Sequence, residues 1–140
     1  MVTDDVKQYF LEHGRVATIA VPRRDKGPNM SPLWFLWVPE ENVFLISTFE
    51  GAAKVKTLRR DPKMSLLIDD PLDNLGVYVL VYGRGEIIGP GEPAVAPSLQ
   101  LIKKYRYTDA ASWQHWIEIN EDGQRVIIRM TPDEWHWRDV

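Results

Sequence analysis

The sequence of 140 residues contains no cysteine. That excludes a disulfide framework, a thiolate metal site and a cysteine nucleophile, and it fits a reducing compartment. Positive charge is also scarce: 17 Lys and Arg stand against 20 Asp and Glu, a formal charge of −3. A chain that meets nucleic acid through its overall field would carry the opposite balance, so nucleic acid is not an expected partner. No apolar run approaches the ~18–20 residues needed to cross a bilayer as a helix. The opening "MVTDDVKQYF" lacks the apolar core of a secretory leader. These absences predict a soluble, cytoplasmic protein with no membrane partner. His13, His115 and His136 have no metal-ligand spacing, so no metal site is expected. "GRGE" at 83–86 lacks the strand–turn–helix context of a dinucleotide fingerprint.

The length suits one domain over 1–140, enough to bury a core. Thr3 with Asp4 and Asp5 reads as a capped helix start, with Val6, Tyr9, Phe10 and His13 at helical spacing and Gly14 closing it. Strands are predicted at 15–22, 30–38, 43–48, 63–70, 77–89 and 125–130, with a terminal extended segment "EWHWRDV". "VFLIST" is a short continuous apolar run, typical of a strand buried on both faces. Gly83 and Gly85 mark a bend or bulge within the long fifth strand, and "PLDNLG" at 71–76 reads as a loop. Helices are predicted at about 52–60, 94–106 and 109–118, the second with Val95, Leu99, Ile102 and Tyr105 on one stripe and the third with Asp109 as cap. Six strands with short turns and inserted helices predict a mainly β fold, a small antiparallel barrel with flanking helices.

The stretch "FEGAAKVKTLRRDPKMS", 49–65, concentrates charge that the chain otherwise lacks. Lys54 falls in the first turn of the predicted helix, where the free N–H groups already carry partial positive charge. Gly51, Ala52 and Ala53 would let an anion approach the backbone. A phosphate would satisfy lysine, amides and dipole together, with Ser47 and Thr48 adding hydroxyl donors. The other reading makes Lys54 a solvated lysine meeting Glu50. Arg59 and Arg60 fall in the last turn, where cations suit the dipole without a ligand, and Lys56 and Lys63 read as solvated charge. The cluster has no interleaved aromatics, unlike a nucleic-acid surface.

Six tryptophans come in pairs. Trp34 and Trp37 are three apart in a strand and point to opposite faces, Trp113 and Trp116 share a helix face, and Trp135 and Trp137 share a strand face. Core packing accounts for most of them, and the remainder suit an aromatic cleft or a dimer contact.

Three pieces, "MSPLWF", "IST" followed by "GAAK", and "LRRDPKMSLL", occur in an order that resembles the flavin-binding split-barrel superfamily, which includes pyridoxamine 5'-phosphate oxidase and deazaflavin-dependent reductases. The resemblance is clear over about 13–70. It implies a six-stranded antiparallel split barrel of Greek-key type, and a homodimeric oxidoreductase acting on a small-molecule substrate. FMN or a deazaflavin (coenzyme F-420) would lie between the protomers. By the same resemblance Met30, Ser31, Pro32, Leu33 and Trp34 run beside the cofactor ring. Ser47, Thr48, Gly51, Ala52, Ala53 and Lys54 form the phosphate turn, and Trp135 and Trp137 reach across from the other subunit. Ala52 and Ala53 stand where the oxidases commonly have Ser and Arg, which implies a phosphate grip that is either weaker or more reliant on backbone amides. A non-catalytic carrier of a flavin or other flat ligand, and a barrel kept only as an interaction module, are the other functions this pattern allows.

Overall fold

The computed structural model describes residues 2–69 and 76–139. Helix α1 (Asp4–His13) starts where Val6 N–H donates to the Thr3 hydroxyl at 3.4 Å and ends where Gly14 N–H bonds Phe10 O at 3.1 Å. Strands β1 (Ala17–Val21), β2 (Asn29–Leu33), β3 (Phe35–Val38) and β4 (Val43–Phe49) lead into α2 (Ala53–Arg60). Then come β5 (Lys63–Ile68), β6 (Val77–Ile88), a 3-10 turn (Glu92–Ala94), α3 (Val95–Lys104), α4 (Ala110–Glu121) and β7 (Arg125–Asp139). Asp70 and residues 71–75 of the loop expected over 71–76 lie outside the described residues.

All pairings are antiparallel, in the order β2-β1-β5-β6-β7-β4-β3. The sheet's two edges, β2 and β3, are consecutive in the chain and separated only by Trp34. The expected strand 30–38 therefore bends at Trp34, pairs with β1 through its first half and with β4 through its second, and joins the two edges of a curled sheet. This is why there are seven strands where the sequence predicts six. The predicted sixth strand and the terminal segment are likewise one strand, β7, because β6 pairs along its whole length.

Alternation then creates two cores. Inward side chains, among them Ile19, Phe35, Phe44, Ile46, Leu66, Val79 and Ile128, fill the barrel together with Phe10 from α1 and Leu58 from α2. Val43, Leu45 and Ile127 point the other way and meet Leu101 and Ile102 of α3. Every β4 residue except Phe49 is consequently buried, as its apolar run predicts. On α3 Ile102 of the predicted stripe is fully buried and Leu99 and Tyr105 pack against the same cluster, joined by Leu101 and by Ser98, whose hydroxyl donates to Asn120 of α4 at 2.9 Å. The bend in β6 is at the register shift between Tyr82 and Gly83, where a Cβ on Gly83 would overlap the Thr131 carbonyl. The outward faces of β2, β1, β5 and β6 stay partly open to solvent, with Met30 61 % and Tyr82 43 % exposed. Among the described residues, no helix is long and apolar enough to cross a membrane.

Candidate functional site

The turn between β4 and α2 is anchored at both ends. Glu50 N–H donates to Gln124 O and Ala52 N–H to Phe49 O, each at 3.1 Å. Ala52 occupies the N-cap in extended backbone (φ −67, ψ 142) and supplies no side-chain cap, and the first turn holds no acid. Lys54 lies in that turn, half-buried, with no hydrogen-bond or ion-pair partner among the described residues, and burial pulls its amine below the usual lysine range. A Cβ on Gly51 would meet nothing within 4 Å, so the approach to the turn is open. N–H groups without a side-chain cap, a lysine desolvated beside them and open space in front make an electropositive turn suited to a small anion.

Glu50 does not pair with Lys54. It accepts both Arg59 guanidinium donors, at 2.6 and 2.8 Å. This fork lowers the Glu50 carboxyl pKa and raises that of Arg59. Arg59 is an exposed last-turn cation, as expected, and in addition it engages Glu50. Arg60 is exposed, as predicted.

A second cation near this turn had not been singled out in the sequence. Arg125, first residue of β7, pairs in register with Phe49 and donates from Nε to the Ser47 hydroxyl at 3.0 Å. Its guanidinium lies 4.6 Å from the Phe49 ring centroid and 5.1 Å from that of Trp116, and burial lowers its pKa. Nothing local marks Arg125 out, since its partners are 78 positions away for Ser47 and on another element for Trp116. Thr48 is buried, but alternation along β4 turns it toward the Ile46 side while Ser47 faces the Leu45 side. The two hydroxyls expected to act together point to opposite faces.

In β2, Met30 and Pro32 are exposed, while Asn29, Ser31 and Leu33 are half-buried. Ser31 Oγ is buried without a hydrogen-bond partner. Trp34, at the bend, stacks on Tyr105 (4.3 Å between centroids, 11°) and on Tyr107 (5.3 Å, 17°). Trp37 faces the other way and meets Trp135 edge-on at 5.2 Å, so the expected opposition of Trp34 and Trp37 holds. Trp135 and Trp137 do share a face, stacked at 6.4 Å and 3°. That face is the barrel's own core: Trp137 meets Phe10, and Trp135 meets Phe44. Both indoles remain half-buried, packed against the barrel core of their own chain.

The sequence model described as pyridoxamine 5'-phosphate oxidase matches residues 3–138. The chain belongs to the pyridoxamine 5'-phosphate oxidase family. Solved structures agree in fold. A conserved hypothetical protein from Mycobacterium tuberculosis superposes with a TM-score of 0.80 at 19% identity, covering 99% of this chain and 86% of that one. An F420 reductase gives 0.68 at 24% identity, covering 92% and 94%. A FAD-binding protein from Mesorhizobium loti gives 0.63 at 19%, covering 97% and 92%.

The donor set of this family member fits a phosphate-bearing group at the α2 turn. Lys54 lies in a first helical turn without a side-chain cap or an acid, and the Glu50 carboxylate before it is engaged by Arg59. Acid–base machinery is sparse. Among the described residues the one histidine–carboxylate ion pair is His136 with Glu134, at 3.1 Å on the exposed rim, and no group of three or more His, Asp or Glu is placed to hold a metal.

Proposed function

We propose that this protein is an oxidoreductase working through FMN or a deazaflavin (coenzyme F-420), with the site completed by a second copy of the chain. The observation that carries the reading is Lys54, without a partner at the uncapped start of α2 while Glu50 is engaged by Arg59. When bound, such a cofactor supplies hydride or electron transfer to and from a small-molecule substrate. The chain's own part is positional. Lys54 and the first N–H groups of α2 hold the phosphate. Gly51, Ala52 and Ala53 keep the approach clear, and Ser47 presents Arg125 beside the turn. The β2 backbone from Met30 to Leu33, with Trp34, borders the ring. The open outward face of β2, β1, β5 and β6 docks the second protomer.

The test is titration of the purified protein with FMN and, separately, the deazaflavin, following tryptophan fluorescence, then turnover over a panel of electron acceptors. Binding tighter than roughly 100 μM, about −5.5 kcal/mol, is expected for one of them. Failure of both to bind sinks the reading. Tight binding without turnover on any acceptor identifies a carrier instead.

A further inference from the structure

A cleft of about 870 Å³ opens between the end of α1 and the end of α3, and none of residues 47–54 lines it. One wall is aromatic and rigid. Trp34 lies against Tyr105 and Tyr107, and the Tyr105 hydroxyl is locked: it accepts from Phe35 N–H at 3.0 Å and faces the carbonyls of Arg15 (2.8 Å) and Phe35 (3.1 Å). Tyr107 is 44 % exposed, so the open side of the stack is available to a further ring. Lys104 also lines the cleft. Its amine donates to the Phe35 carbonyl at 3.0 Å and sits 3.5 Å from the centroid of the Phe35 ring. An ammonium has three donors, and no carboxylate lies within ion-pair distance of this one among the described residues. Arg15 and Arg106 add positive charge at the lining.

We propose that this cleft binds a planar aromatic carboxylate, its ring laid against the Trp34–Tyr107 stack and its carboxylate on Lys104. The stack supplies a flat apolar surface, and the desolvated amine supplies a charge that lacks its counter-ion. A neutral ring would leave that amine unpaired, and an organic cation would be repelled by it. The cleft excludes the α2 turn and shares only Trp34 with the ring border proposed above, and its contact with Lys104 does not rest on the cofactor reading.

Binding should take up a proton at alkaline pH. Burial lowers the free Lys104 amine to about 7, and a bound carboxylate favours its charged form. Other charged groups meet the same space. Glu12, His13 and Arg15 come from the end of α1, Asp69 from the end of β5, Arg106 from beyond α3, and Glu40 and Lys103 line the adjoining groove. Lys104 couples the ligand's charge to proton uptake, because burial has already loosened the proton of its free amine.

The experiment is calorimetric titration of the full chain with 2-naphthoate, 2-naphthamide and 2-naphthylmethylamine. At about pH 6 the acid should bind at least about tenfold tighter than the amide. Its affinity should fall about tenfold or more between about pH 7 and about pH 9. Lys104→Met should bind acid and amide equally, with a flat pH profile, and His13→Gln should keep the wild-type profile. If Lys104→Met does not fold, the wild-type profile and Tyr107→Ala still decide: the latter should weaken acid and amide alike. Equal binding of acid and amide, preference for the amine, no binding at all, or retention of the acid preference in Lys104→Met would each overturn the proposal.

Discussion

Five cations fall between Lys54 and Lys63, and their partners sort them. Arg59 is spent on Glu50, Arg60 faces solvent, and Lys54 stands desolvated at the helix start. Removing Lys54 should therefore cost a charge-assisted contact worth roughly 1.5–3 kcal/mol, so FMN affinity in Lys54→Ala falls about ten- to a hundredfold. Riboflavin, which has no phosphate, should bind this variant as it binds the wild type. Arg60→Ala should change little. Arg59→Ala should weaken FMN as well, because it releases Glu50 to compete for Lys54. Fluorescence titration at two salt concentrations separates these outcomes. Equal losses for riboflavin and FMN in Lys54→Ala would make the lysine structural.

At the scale of elements, α2 is a helix whose start is left unfinished. It buries Val55 and Leu58 and ends in a basic turn, yet it has neither a cap side chain nor an acid at its N-terminus. Such a helix is less stable than it need be, which is sensible where a ligand completes it. Ala52→Asp should then have effects of opposite sign. The new carboxylate caps the helix, stabilising the protein by about 0.5–2 kcal/mol, and thermal denaturation should shift upward by a few degrees, on the order of 3–5 °C per kcal/mol. The same carboxylate occupies the anion's place, so FMN affinity should fall. A variant that melts higher and binds FMN as well as wild type would show that the phosphate lies elsewhere.

For the whole molecule, the decisive asymmetry is between the two outer surfaces of the sheet. Over β3, β4 and β7 the outward side chains are covered by α3 and α4. Over β2, β1, β5 and β6 they are left partly open, with Met30 and Tyr82 the most exposed large ones. Sedimentation should give twice the 16.2 kDa chain mass at micromolar concentration, with an obligate interface of more than ~2,000 Å². Met30→Glu combined with Tyr82→Glu should drive the protein toward monomer and weaken FMN binding, while far-ultraviolet circular dichroism stays unchanged. A wild-type protein that sediments as a monomer removes the two-protomer site and leaves the α2 turn to be tested alone.

Much of this molecule was legible in short stretches. Thr3 and Asp109 cap their helices as the sequence predicts, with bonds to Val6 N–H and Ser112 N–H. "VFLIST" is buried on both sides, Gly83 marks the bend, and the order of "MSPLWF", "GAAK" and "LRRDPKMSLL" points to the family that residues 3–138 match. Each of these depends on interactions within a turn or on a strand's own alternation, so a few residues determine them. What escaped depends on distant chain segments meeting. The bend at Trp34 exists because its two halves pair with different strands, and β7 runs to Asp139 because β6 continues beside it. Arg125 finds Ser47 across 78 positions, and Tyr105 finds Phe35 across 70. Trp135 and Trp137 share a strand face as the sequence predicts, but that this face packs half-buried on Phe10 and Phe44 depends on distant segments. Burial and closure of the sheet choose among partners that periodicity leaves equivalent, and only the tertiary structure makes that choice.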